Sequence, residues 1–176
     1  MAKAGLTAAT GRSEPGLLGI YLNDHLAGAT GGAELARRAA GAHGGEQAGA
    51  LHRLAAEIAQ DRAALLGFMA ALGVPVRGYK VWAAWAGEKA ARMKFNGHVL
   101  SRSPLSSLEE LEMMRLGVEG KAAGWRTLRV LAETDARLDA GRLDELISRA
   151  RRQADLLEEL QVSAANQVIG RGREAR

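Results

Sequence analysis

Apolar residues recur at helical spacing along four segments of this chain, at about residues 15–40, 47–72, 104–135 and 141–169. No segment shows the two-residue alternation that is typical of a half-buried strand. Each helical segment carries one stripe of mainly apolar positions. The four stripes are Leu18, Leu22, His25, Ala29 and Ala36; Leu51, Leu54, Ile58, Asp61, Leu65 and Met69; Leu108, Leu111, Val118, Ala122, Trp125 and Leu128; and Leu146, Ala150, Gln153, Leu157, Leu160 and Ala164. The pattern predicts an all-α protein.

Proline and glycine residues mark where the predicted helices begin and end. Pro15 and Pro104 suit the first turn of a helix, where proline has no hydrogen bond to lose. Ser13 precedes the first helix as a suitable N-cap. Gly73 and Gly170 predict the ends of the second and fourth helices, because glycine commonly follows the last helical residue.

The lengths of the connections predict how the helices are arranged. A few residues join the first helix to the second and the third to the fourth, so each pair should form an antiparallel hairpin. About 30 residues separate the second and third helices, and the stretch YKVWAAWAGEKAARMK within them is typical of a short crossover helix. We therefore predict an up-down-down-up four-helix bundle in one domain, residues 14–170, with flexible ends at residues 1–13 and 171–176.

This layout resembles the ferritin-like superfamily over residues 14–170. Metal-binding members place a Glu on each of two helices and an ExxH pair on each of the other two, so the resemblance implies an iron or manganese site with oxidase or peroxide-handling activity. The sequence has no ExxH, since the residues three positions before its four histidines are Leu22, Ala40, Gly49 and Phe95. We interpret the chain as a divergent, non-catalytic member with a binding or structural role. A divergent metal-carboxylate protein is the alternative.

Polar residues interrupt the apolar stripes near the middle of the predicted bundle. His25, Asp61 and Gln153 lie on the stripes, and Glu119 borders its stripe. An unpartnered buried polar group costs about 1–3 kcal/mol, so these four side chains predict one hydrogen-bonded layer that fixes the helix register. A stripe shifted by one residue would turn Asp24 inward or Glu119 outward. The alternative is an irregular metal site whose ligands are His25, Glu57, Asp61, Glu112 and Glu119.

Six glycines lie inside the predicted first and third helices, where each costs up to about 1 kcal/mol relative to alanine. They are Gly28, Gly31, Gly32, Gly117, Gly120 and Gly124. Close helix packing around Trp125 is the simpler interpretation of these positions. The functional alternative is a pocket left by the missing side chains.

Positive charge is concentrated in the connection between the second and third helices. Residues 77–102 contain six basic residues and one acidic residue, whereas the whole chain has a net charge of +4. A possible binding surface for nucleic acid or an anionic partner consists of Lys80, Trp82, Trp85, Lys89, Arg92 and Lys94. The simpler interpretation is that the aromatic side chains pack on the bundle and the cations remain in water, so nucleic-acid binding is a second alternative.

Composition excludes several classes of protein. The absence of cysteine excludes disulfides and thiolate metal sites. We expect a cytoplasmic protein without a membrane partner, because no apolar run reaches the roughly 20 residues that span a bilayer. No G-x-S-x-G or dinucleotide-binding motif follows a predicted strand, and no residue is assigned a catalytic role. Helix faces rich in Ala and Gly favour a homo-oligomer, with a dimer as its simplest form.

Overall fold

Four long α-helices make up the described part of the chain. The computed structural model describes residues 16–77 and 104–174. The helices are α1 (Leu17–Ala42), α2 (Gly45–Ala71), α3 (Pro104–Leu131) and α4 (Ala140–Glu174). Within these two ranges there is no strand, so the predicted all-α class is confirmed for them. The predicted crossover helix and the N-terminal residues 1–13 lie outside the described residues.

The helix ends agree with the predicted boundaries at some positions and differ at others. Gly73 adopts a left-handed φ of +69° just beyond α2, where Val74 N donates to Met69 O over 2.8 Å. α4 instead continues through Gly170 to Glu174, so the prediction that Gly170 ends this helix is wrong. Glycine permits a left-handed conformation but does not require it. α4 therefore includes residues 171–174 of the predicted C-terminal tail.

The apolar stripes form a single core in which the four helices meet. All six residues of the predicted α2 stripe are buried, Asp61 included. The α1 stripe is less completely buried, since Leu22 and Ala36 are buried whereas His25 and Ala29 are half-buried. Both half-buried residues line a groove between α1, α2 and α3.

Each helix packs against two neighbours. α1 contacts α2 and α3, and α4 contacts α3 and α2, so that α2 and α3 lie on a diagonal. Hydrogen bonds join Asn23 to Pro75 and Thr30 to Arg62 between α1 and the α2 segment. Between α3 and α4 they join Arg115 to Glu158 and Arg129 to Asp144. Between α2 and α4 they join Gln47 to Ser163 and Gln60 to Arg149. Between α1 and α3, Tyr21 pairs with Thr127 and His25 lies against Gly124. For each pair of helices, the residue number of the contact rises along one helix while it falls along the other. All four contacting pairs of helices are therefore antiparallel.

The connections within the two hairpins are short, as predicted. Two residues separate α1 from α2, and eight separate α3 from α4. The ring nitrogen Nδ1 of His43 lies 2.8 Å from Ala39 O at the end of α1. Among the four described helices, none has both the length and the apolar character that crossing a bilayer requires.

Candidate functional site

A buried carboxylate joins three of the four helices. Asp61 of α2 is 1% exposed. Its Oδ2 accepts a hydrogen bond from Lys121 Nζ of α3 over 2.6 Å, and its Oδ1 accepts one from Arg149 Nη1 of α4 over 3.0 Å. The side chains of Lys121 and Arg149 are 13% and 20% exposed, so both cations are largely removed from water. Asp61 therefore lies at the centre of a buried ion-pair network.

Gln153 completes this network from α4. Its Oε1 accepts from Lys121 Nζ over 2.5 Å, and its Nε2 donates to Glu57 Oε2 over 2.8 Å and to Asp61 Oδ2 over 3.3 Å. The two carboxylates, Glu57 and Asp61, balance the charges of Lys121 and Arg149. The network is therefore electrically neutral and connects α2, α3 and α4, a combination expected to fix the register of these helices.

Burial also changes the acidity of the lysine in this network. Loss of hydration lowers the pKa of Lys121 below its usual value of 10.5, and the nearby Asp61 carboxylate opposes this effect. An ammonium group has three N–H donors, and Asp61 and Gln153 accept from two of them. One donor of Lys121 is therefore left for another acceptor.

The structure brings together two members of the predicted polar layer and separates the other two. Asp61 and Gln153 are buried and hydrogen-bonded to each other. Glu119 is exposed, because the core-facing position next to it is Val118. His25 is half-buried and lies against Tyr21 and Gly124, not against Asp61 or Gln153. The layer predicted from His25, Asp61, Glu119 and Gln153 is therefore wrong in two of its members. In place of His25 and Glu119, the observed network contains Lys121, Arg149 and Glu57.

Sequence reasoning missed these two cations because both lie beside a stripe and not on it. Lys121 precedes Ala122 on α3, and Arg149 precedes Ala150 on α4. A long side chain that borders a stripe can carry its charged group into the core. Basic residues that border a stripe near the height of Asp61 are therefore candidate partners for it, but the sequence pattern does not show which of them reach the core.

The five residues considered as metal ligands do not come together. Glu57 and Asp61 are held by the network, whereas Glu112 and Glu119 are exposed. Glu112 accepts a hydrogen bond from Gln161 over 3.4 Å. In the part of the chain that the structure describes, no three His, Asp or Glu side chains are grouped so that they could hold a metal ion. These residues therefore do not fit the di-metal site that the ferritin-like resemblance implies.

His25 packs against glycine and tyrosine at the α1–α3 contact. Its ring lies 4.4 Å from the ring of Tyr21 in an edge-on arrangement. A Cβ atom at Gly124 would lie 3.1 Å from His25 Nδ1, which is closer than an ordinary contact, so glycine favours this close approach of the ring to α3. Burial lowers the pKa of His25 below 6.5, while the Asp24 carboxylate raises it by a smaller amount. Burial therefore favours the neutral imidazole.

A groove of about 400 Å³ opens between α1, α2 and α3. Its walls are mainly apolar and include Leu22, Ile58, Leu65, Met114 and Val118. The glycines that line it are Gly28, Gly32, Gly117, Gly120 and Gly124. At the first four of these positions a Cβ atom would have no heavy atom of the described residues within 4 Å. The pocket that the glycine pattern offered as an alternative is present, and at these four positions no described side chain packs against the glycine.

Five side chains that can donate hydrogen bonds line the groove, namely Tyr21, His25, Arg62, Lys121 and Trp125. The hydroxyl of Tyr21 already donates to Thr127. Trp125 is 2% exposed, and among the described residues its indole Nε1 has no hydrogen-bond partner. Arg62 Nε donates to Thr30 Oγ1 over 2.9 Å, and the guanidinium forms no ion pair with any carboxylate of the described chain. The groove is thus apolar with several donors available at its wall.

The predicted basic and aromatic surface lies outside the described residues. Its members are Lys80, Trp82, Trp85, Lys89, Arg92 and Lys94. The groove and the buried network are therefore the candidate sites in residues 16–77 and 104–174.

Comparisons with known proteins gave no match to this chain among models of protein families, curated proteins or solved structures. The candidate function is consequently derived from the geometry and chemistry of the groove. The ferritin-like resemblance depends on the layout of the helices.

Proposed function

We propose that this protein is a ferritin-like, up-down-down-up bundle with a non-catalytic binding function. The topology is supported by the antiparallel contacts of α1 with both α2 and α3, and by the diagonal position of α2 and α3. Two helices that are each antiparallel to a third run parallel to one another. A parallel α2 and α3 require a long connection, and residues 72–103 separate them.

The groove binds an apolar small molecule. The observation that carries this proposal is the row of glycines with open space where their side chains would be. Each glycine costs up to about 1 kcal/mol relative to alanine within a helix, and alanine would fit at four positions without a clash. Small-molecule sites typically have volumes of about 300–1,000 Å³ and mainly apolar walls. The volume of this groove lies within that range, and its walls are mainly apolar.

The buried network supports the bundle beneath this groove. The hydrogen bonds of this network use both carboxylate oxygens of Asp61 and both the amide oxygen and the amide nitrogen of Gln153. This neutral arrangement favours a structural function, because Asp61 and Gln153 use their hydrogen-bonding atoms on other members of the network. Lys121 belongs to both features, since it also lines the groove.

The neutral dye N-phenyl-1-naphthylamine tests binding, since its emission increases in an apolar site. We expect one dye per chain. Gly120→Leu should weaken binding at least tenfold, because its side chain enters the open groove. Gly67→Leu is the matched control, since Gly67 also has open space but lies outside the groove.

Two outcomes contradict the proposed function. Equal binding by the wild type and Gly120→Leu, or no dye binding, would show that the groove is not a ligand site. Elemental analysis of protein purified without a histidine tag tests the non-catalytic part. Stoichiometric iron or manganese would favour the divergent metal-carboxylate alternative.

A further inference from the structure

Trp125 gives the first indication that the ligand of the groove has a hydrogen-bond acceptor. Its indole N–H is buried and has no acceptor within residues 16–77 and 104–174, although buried donors are nearly always paired in proteins. Its ring has an edge-on neighbour in Phe68, with 6.1 Å between ring centroids. Because Trp125 also lines the groove, an acceptor atom on a bound molecule would supply the missing partner.

Lys121 places a second donor on the same side of the groove. It precedes Trp125 by four residues on α3, and side chains at this spacing lie on one helix face. Two of its three N–H groups are engaged by Asp61 and Gln153. No acceptor among the described residues takes the third N–H, so this N–H is available to a molecule in the groove that Lys121 lines.

Arg62 determines the charge that this molecule should have. The charges of Glu57, Asp61, Lys121 and Arg149 cancel within the network, and Arg62 has no ion pair with a carboxylate of the described residues, so it adds a positive charge at the groove wall. The carboxylate of Asp24 also borders the groove, but Asp24 is exposed whereas Arg62 is half-buried, so water weakens the field of Asp24 more than that of Arg62. A single negative charge on the ligand would balance Arg62.

We infer that the groove binds an amphipathic molecule with one carboxylate, whose apolar part fills the glycine-lined space and whose oxygens accept from Arg62, Lys121 and Trp125. This inference rests on the proposed function and specifies its ligand class. A guanidinium and an ammonium form stronger hydrogen bonds to a carboxylate than to a neutral hydroxyl. The charged end therefore sets the preference among ligands of equal apolar length.

Calorimetric titration of the full chain with three probes of equal chain length tests this preference. The probes are decanoate, 1-decanol and decylamine, each below its critical micelle concentration. We expect decanoate to bind at least tenfold more tightly than decylamine. Arg62→Gln should reduce decanoate affinity by about tenfold or more, with little effect on 1-decanol. Arg53→Gln, an exposed position on the same helix outside the groove, is the matched control.

The indole N–H resonance of Trp125 provides an independent measurement in a ¹H–¹⁵N spectrum, assigned with Trp125→Phe. Decanoate should shift this resonance downfield as the N–H acquires an acceptor. Equal affinities for decanoate and decylamine, or an unchanged decanoate affinity in Arg62→Gln, would overturn the inference. If Gly120→Leu still blocked the neutral dye, the proposed function would remain. If neither the dye nor any of the three probes bound in the groove, both the proposed function and the inference about its ligand would fail.

Discussion

Replacement of Asp61 by leucine removes the acceptor that Lys121, Arg149 and Gln153 share. Lys121, which is 13% exposed, would retain only Gln153 as an acceptor. Removing one partner of a buried ion pair typically costs about 3–5 kcal/mol, since the remaining charge stays buried. Folded domains have free energies of unfolding of about 5–15 kcal/mol. We therefore expect Asp61→Leu to lose a large fraction of the stability of the bundle.

The double variant Asp61→Leu, Lys121→Met should be less destabilised than the two single variants predict together. It removes both charges of the pair and leaves Arg149, which is 20% exposed and able to reach water. Contacting residues in one network show coupling energies of about 0.5–3 kcal/mol, and we expect a value in the upper half of this range. Burial lowers the pKa of Lys121 despite its carboxylate partner, so desolvation is not fully offset in the wild type.

Urea unfolding followed by circular dichroism measures these free energies, with an unchanged urea dependence as the test of two-state behaviour. The control is the same cycle on Arg115 and Glu158, an ion pair between α3 and α4 whose side chains are 35% and 56% exposed. Exposed pairs typically contribute about 0.2–1 kcal/mol. Additive effects at Asp61 and Lys121, or a loss in Asp61→Leu no larger than at the exposed pair, would refute the network as a stabilising device.

Three further predictions concern the groove and the titrating groups. Gly28→Ala and Gly117→Ala should each raise the free energy of unfolding in urea by up to about 1 kcal/mol, whereas Gly124→Ala should give no such gain because its Cβ would meet the His25 ring at 3.1 Å. Burial holds the pKa of His25 below 6.5, so the contribution of the neutral imidazole to stability is present above pH 6.5 and is lost as the pH falls through the folded-state pKa. His25→Gln should therefore reduce the pH dependence of the melting temperature in this pH range. The lowered pKa of Lys121 makes stability rise with pH as the pH approaches 10.5 from below, and Lys121→Met should remove this part of the pH dependence measured by urea unfolding.

The core could be predicted in detail because helical periodicity is a local property of the sequence. Leu54, Ile58, Leu65 and Met69 recur along one face of α2, and all four are buried. Asp61 shares that face and is buried with them. A polar residue on such a stripe indicates that a partner exists, but periodicity does not identify which helix supplies it.

The partners of Asp61 depend on how far long side chains reach between helices. Glu119 and Lys121 lie two residues apart on α3, yet the first is exposed and the second donates to Asp61. The difference reflects the rotation of α3 about its axis and the position of α2, and neither can be derived from spacing within one helix. Local pattern alone therefore could not choose between these two residues.

The sequence alone determined that the described chain is helical, the approximate extent of each helix, and which apolar positions face the core, because these properties follow from spacing and local backbone preferences. The tertiary structure decided that the glycines of α1 and α3 face an open groove and that Lys121 joins this groove to the buried network. Both results depend on the distances between helices that are remote in sequence. Those distances are set by the packing of the whole bundle.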